Sequence, residues 1–163
     1  AELAEKFNLD KEKAYTAELL HDAAKCFDNE KLLKIINENL NVEPCEMLNY
    51  KTLHAPVSAY IAENEFGVTD KEILSAIRWH TLGRLDMTDF EKVIFLSDKI
   101  EPNTRCKEYS CNIRQVLSEP NGLNRALLRC YEETIKSLVA RNLKICLITI
   151  EIYNKLLENV SDI

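Results

Sequence analysis

Glycine and proline are scarce, at three and four of 163 residues, and they fall between periodic segments, where helices end. That is too few for the closely spaced turns of a strand-rich fold, so an all-α fold is expected. The strongly apolar runs, such as Ile145 to Ile150, fall far short of the roughly 18 residues that cross a bilayer, so no membrane span is expected. No lysine or arginine block exists, and 21 basic against 27 acidic side chains leave a formal charge of −6. Broad duplex-DNA binding is thereby disfavoured, because its affinity comes from cations displacing phosphate counterions. A local basic pocket stays open. The start, Ala1 to Lys6, has neither the basic beginning nor the long apolar stretch of a secretory signal. It also lacks a methionine, so the chain is expected to begin inside a longer polypeptide. Cys26, Cys45, Cys106, Cys111, Cys130 and Cys146 are too irregularly spaced for a disulfide framework, which points to a reducing cytoplasm. Cys106 and Cys111 could open a zinc site, but no CxxC pair follows them, and free thiols are the simpler reading. No G-x-S-x-G elbow presents a serine nucleophile.

With 46% hydrophobic and 29% charged residues, the chain can bury a core, and residues 1–163 read as a single domain. Ala14, Ala17, Leu20 and Ala24 recur at helical spacing between Asp10 and Cys26. Asp28 is placed to cap a second helix carrying Leu32, Leu33, Ile36 and Leu40, and Pro44 closes that hairpin. A third helix is expected from about Leu53 to Phe66, with Pro56 in its first turn and Gly67 ending it in the left-handed conformation. Thr69-x-x-Glu72 and Thr88-x-x-Glu91 read as capping boxes. The first opens a helix with Ile73, Ala76, Ile77 and His80 on one stripe; the second opens one with Phe90, Ile94 and Asp98, halted by Pro102. The pattern then weakens until Leu123, where Leu127, Cys130, Tyr131, Thr134 and Leu138 mark a long helix before Asn142. The β-branched stretch from Ile145 has no second strand to pair with, so a last helix is expected from about Leu147.

Histidine is also rare: His21, His54 and His80 are the whole complement. Each alone reads as a hydrogen-bonded core residue. Together with Asp22 and Asp98 they occupy helix ends or inward stripes from which they can converge, and facing helices assemble metal sites in this way. Imidazole and carboxylate suit iron, manganese or zinc, and three His with two Asp exceed one tetrahedral shell, so a two-metal centre is open. On a helix, His21 and Asp22 project about a hundred degrees apart, with Lys25 one turn beyond His21.

Ala17-Glu18-Leu19-Leu20-His21-Asp22-Ala23-Ala24-Lys25 resembles the signature of the HD-domain metal-dependent phosphohydrolases. Leu53 to Ala59, Ala76 to Arg84 (with His80-Thr81-Leu82-Gly83-Arg84) and Leu96 to Pro102 (with Asp98-Lys99-Ile100-Glu101-Pro102) follow in order. They resemble the motifs of the symmetrical bis(5'-nucleosyl)-tetraphosphatase branch, of the YqeK type. The resemblance covers about Ala1 to Arg105 strongly and the C-terminal helices of residues 106–163 loosely. It implies an HD-domain helical bundle with His21, Asp22, His54, His80 and Asp98 as metal ligands and Asp22 bridging two ions. Iron is the implied metal, with manganese open. Arg84 would hold a phosphate and act with Asp22 and Lys25 in catalysis; Lys25 and Arg105 are weaker phosphate candidates, Thr81 a donor to the same group, and Glu101 structural. The implied reaction cleaves diadenosine tetraphosphate symmetrically into two ADP with a metal-bridged water.

One departure is visible. The family carries a further histidine ligand on a preceding helix, and none exists between Ala1 and His21. Ala1 to Phe7 resembles the far end of that helix, so the ligand is expected upstream of Ala1; the rival is a degenerate member that binds nucleotide without cleaving it. The competing readings are an HD enzyme acting on a nucleoside monophosphate or a guanosine alarmone, a non-catalytic nucleotide-binding protein, and a purely structural bundle. A homodimer stays open, with Leu123 to Leu138 as a surface for it.

Overall fold

The computed structural model describes residues 1–101 and 107–161; Pro102, Arg105 and Cys106 lie outside them. The described residues form an all-α fold: α1 (Glu2–Lys6), α2 (Lys11–Leu20), α3 (Asn29–Asn39), α4 (His54–Asn64), α5 (Lys71–Trp79), α6 (Asp89–Lys99), α7 (Lys107–Val116), α8 (Gly122–Ala140) and α9 (Leu147–Ser161). Two 3-10 turns, Glu46–Leu48 and Tyr50–Thr52, precede α4. Helix α5 is central, packing against α2, α4 and α6, while α8 lies on α6 and α9. The main core joins Ala14, Ala17, Ile77, Ile94, Leu127 and Ile152, among others, and a second cluster under α3 and α4 includes Ala24, Leu32, Ile36, Val57 and Ile61. Fully buried alanines on α2 let its backbone approach its neighbours closely.

Several helix ends follow from local chemistry. Asp28 accepts from Lys31 N at the start of α3, and Thr88 and Glu91 form the reciprocal box at the start of α6. Gly67 sits at φ +69 beyond α4, and the Val68 N–H returns to the Ala62 carbonyl at 2.9 Å, closing that helix through a left-handed turn.

Three boundaries and one helix differ from the sequence expectation. Helix α2 stops at Leu20 rather than near Cys26, because the Ala24 N–H, which would continue the ladder, donates instead to the fully buried Ser58 Oγ at 3.0 Å. Residues 21–27 therefore form a run of tight turns, with Lys25 N on the Asp22 carbonyl and Phe27 N on the Ala24 carbonyl. The cap of α5 is Asp70, one residue after Thr69: its carboxylate accepts from Glu72 N and Ile73 N, and a negative charge there also complements the helix dipole. Helix α4 begins at His54 and ends at Asn64, two residues inside the expected span at its far end. Helix α7 was not expected, since only Ile113 is a fully buried apolar side chain along it.

Helix α8 reaches back to the turn after α5. The Tyr131 ring stacks on Phe95 at 5.5 Å, and its hydroxyl donates to the Leu82 carbonyl at 2.8 Å. A Cβ on Gly83, which sits at φ +72, would lie 2.0 Å from that hydroxyl. Gly83→Ala should therefore lower stability by about 3 kcal/mol, from backbone strain and overpacking together. Thermal melting checks this, and adding Tyr131→Phe should return part of the loss.

Candidate metal centre

Four helices bring the five side chains together at their ends. His21 follows the last residue of α2, His54 is the first of α4, His80 follows α5, and Asp98 lies at the end of α6. Three of these are helix C-termini, whose unpaired carbonyls favour positive charge.

The three rings share one local device. His21 Nδ1 lies 2.7 Å from the Glu18 carbonyl, His54 Nδ1 2.9 Å from that of Lys51, and His80 Nδ1 2.7 Å from that of Ile77. In each case the partner is the residue three positions earlier. A carbonyl only accepts, so each Nδ1 carries the proton and each neutral ring turns the lone pair of Nε2 away from its own backbone. Those lone pairs meet at Asp22. His54 Nε2 is 3.2 Å and His80 Nε2 3.6 Å from Asp22 Oδ1, His21 Nε2 is 3.4 Å from Asp22 Oδ2, and His21 Nε2 is 3.9 Å from Asp98 Oδ1. His54 and His80 also face each other, Nε2 to Nε2, at 3.2 Å.

Acceptors this close repel unless a proton or a cation stands among them. Asp22 Oδ1 is buried without a hydrogen-bond donor, the kind of orphaned atom that interiors otherwise avoid. A divalent cation matches this donor set. Ligating histidines typically donate their other ring nitrogen to a carbonyl or carboxylate, which fixes the tautomer. His21, Asp22 and His80 each offer one ligand atom within 4.8 Å of the others, and His54 and Asp98 adjoin them.

Charge is distributed accordingly. Burial works against ionisation of Asp22, but its contacts with His21, His54, His80 and Lys25 outweigh it and hold its pKa far below the usual carboxylate range. Burial likewise opposes protonation of His21, yet the carboxylates of Asp22 and Asp98 and the Glu18 carbonyl prevail and raise its pKa. For His80, burial wins over its contact with Asp22, and its pKa falls. Two lysines complete the balance: Lys25 Nζ contacts Asp22 Oδ2, and Lys99 Nζ lies 2.6 Å from Asp98 Oδ2.

His21 and Asp98 open onto a cleft of about 550 Å³ whose walls include Ala1, Glu18, Glu101 and Arg114. Thr81, next to His80, lines a separate cavity of about 190 Å³ with Thr52, Phe95 and Tyr131. Arg84 is not brought onto the cluster. Its Nε and Nη2 donate to Glu91 Oε1 and Oε2 at 3.0 and 2.9 Å, so the expected phosphate fork closes on a buried carboxylate. Arg105 lies outside the described residues.

Sequence reasoning treated Glu91 only as a capping residue. It does cap α6, accepting from Thr88 N at 2.8 Å, while also holding Arg84 and Ser75. Ser58, Glu46 and Arg78 were missed as well. Each acts on a distant segment through a polar contact, and no periodicity encodes that.

The HD domain family matches residues 1–103, which contain all five converging side chains. The chain belongs to the HD domain family. This HD-domain protein is 36% identical over 156 residues to a Halalkalibacterium halodurans protein named symmetrical bis(5'-nucleosyl)-tetraphosphatase, covering 96% of the chain and 82% of the relative. It is 41% identical over 143 residues to a Bacillus subtilis protein of the same name, covering 86% and 74%. A solved structure from Clostridium acetobutylicum, described as a predicted HD superfamily hydrolase involved in NAD metabolism, has a TM-score of 0.88 at 34% identity. That match covers 97% of this chain and 82% of the other. Among the described residues, no helix is long and apolar enough to cross a membrane.

The Arg84–Glu91 pair yields a pH signature. Burial opposes the Glu91 charge, but Arg84, Ser75 and the Thr88 N–H lower its pKa below the ordinary glutamate value of 4.5. A lowered folded-state pKa contributes stability above the unfolded value and loses it as pH falls through the folded one. Glu91→Gln should therefore cost about 2 kcal/mol at pH 7. In chemical denaturation across pH, the gap from wild type should narrow below that glutamate value.

Proposed function

We propose that this HD-domain protein is a metal-dependent hydrolase that cleaves diadenosine tetraphosphate symmetrically into two ADP. The observation that carries the metal reading is the meeting of imidazole lone pairs with the donor-less Oδ1 of Asp22. The substrate reading is supported by relatives that bear that name and match 96% and 86% of the chain. His21, Asp22, His54, His80 and Asp98 would hold the metal. Asp22 faces His54 and His80 with one oxygen and His21 with the other, and would be the ligand shared if two ions are held. Iron is the proposed metal, with manganese as the alternative. A bound divalent metal supplies charge that neutralises phosphate oxygens and makes water acidic enough to attack at neutral pH.

The chain's own groups supply the remainder. The backbone carbonyls of Glu18, Lys51 and Ile77 hold the three imidazoles, when neutral, in the tautomer that leaves Nε2 open. Lys25 is half exposed beside Asp22 and can meet phosphate oxygens, while Lys99, largely buried, keeps Asp98 in place. Arg84 braces the turn after His80 through Glu91. The cleft beside His21 and Asp98 would give an extended ligand room, with Arg114 in its wall. In the overall reaction one water adds to a phosphorus beside the central bridging oxygen. The bond between them breaks, and each half departs with two phosphates.

After loading with iron(II) or manganese(II), the products from diadenosine tetraphosphate should be ADP alone by chromatography. ATP with AMP would replace the symmetrical reading, and release of phosphate from nucleoside monophosphates would favour the related HD activity. Asp22→Ala should reduce turnover by at least about a hundredfold while circular dichroism stays that of the wild type. Full activity in that variant would remove Asp22 from the centre.

A further inference from the structure

One buried ion pair lies outside the centre. Glu46, in the first 3-10 turn, is 1% exposed. Its Oε2 accepts from Arg78 Nη2 at 2.9 Å and from the Glu43 N–H at 2.7 Å. Arg78 also donates to the Asn41 carbonyl at 2.9 Å, so it holds both ends of the segment that crosses from α3 toward α4. The pair is incompletely satisfied: Glu46 Oε1 and Arg78 Nε are buried without a hydrogen-bond partner. Burying two charges on these terms costs desolvation that an apolar pair of similar volume would avoid. Stability therefore does not account for it.

Its location does. Arg78 stands two residues before His80 on the same helix. From Glu46 the connection continues through its own carbonyl, which accepts from Thr52 Oγ1 at 3.0 Å; the same hydroxyl lies 2.7 Å from the Asn49 carbonyl. Thr52 fixes the second 3-10 turn, and that turn presents the Lys51 carbonyl to His54 Nδ1. A polar chain thus links the helix that ends at His80 to the group that sets the tautomer of His54. The two rings it links are those whose Nε2 atoms stand 3.2 Å apart.

We propose that Glu46 is a positioning residue: held by Arg78, it fixes the segment that orients His54 against His80 and so sets how firmly the centre holds its metal. This rests on the metal-centre reading above. Hydrogen-bonded supports of a metal ligand typically change affinity by about ten- to a hundredfold, and Glu46 acts at one remove, so the lower end applies.

The experiment titrates metal-free full-length protein with manganese(II), counting free ion by electron paramagnetic resonance, and records the melting temperature of each metal-free variant. Glu46→Gln and Thr52→Val should each bind manganese about tenfold more weakly than wild type. Thr52→Ser, which keeps the hydroxyl, should bind as wild type does. If Glu46→Gln fails to fold, the Thr52 pair decides alone. Variants that melt earlier yet bind manganese with wild-type affinity would reduce Glu46 to a structural role and overturn the proposal, as would a Thr52→Ser no better than Thr52→Val. Wild-type protein that takes up no manganese would overturn the metal-centre reading and this proposal with it, whereas uptake by wild type and all variants alike would overturn only the role of Glu46.

Discussion

Everything at the centre depends on one hydrogen bond made three times, from a histidine Nδ1 to the carbonyl three residues earlier. It costs the fold little, because helix ends have carbonyls and turn geometry to spare. Its effect is chemical. It removes the choice of tautomer, and without it the Nε2 lone pairs would be free to swap roles with Nδ1 and accept protons from any nearby donor. With it, three rings from three helices converge as bases on a single carboxylate.

The rest of the bundle serves that convergence. Helix α5 lies in the middle because its end must meet those of α2, α4 and α6. The short turns after α2 exist because Ser58 takes the Ala24 N–H, which carries Asp22 toward the first residue of α4 instead of leaving it on the outer face of a longer helix. Lys25 pairs with Asp22 three residues earlier.

Much of this was readable in the sequence, for a definite reason. Helix class, the caps at Asp28 and Thr88, the left-handed Gly67 and the start of α9 are encoded within a few residues, and local rules read them. The rarity of histidine made His21, His54 and His80 stand out, and the structure places them within contact of one another. What could not be read depends on distant partners. The pairing of Arg84 with Glu91 has no local signal, because the spacing marks Glu91 only as a helix cap. Glu46 and Arg78, 32 residues apart, give no periodic signal at all. Helix α7 was hidden because its buried face is narrow, with Ser110 and Ile113 inward and mostly polar neighbours.

The contact of Tyr131 with the Leu82 carbonyl has a consequence for where this protein can be divided. The stretch matched to the HD domain family ends at residue 103, but the packing continues beyond it, since Tyr131 on α8 holds the Leu82 carbonyl. Without α8, the loop behind the third imidazole would lose its anchor and Phe95 would be stripped bare. The C-terminal helices thus serve as a buttress: their fit, rather than their reactivity, is what the N-terminal helices require.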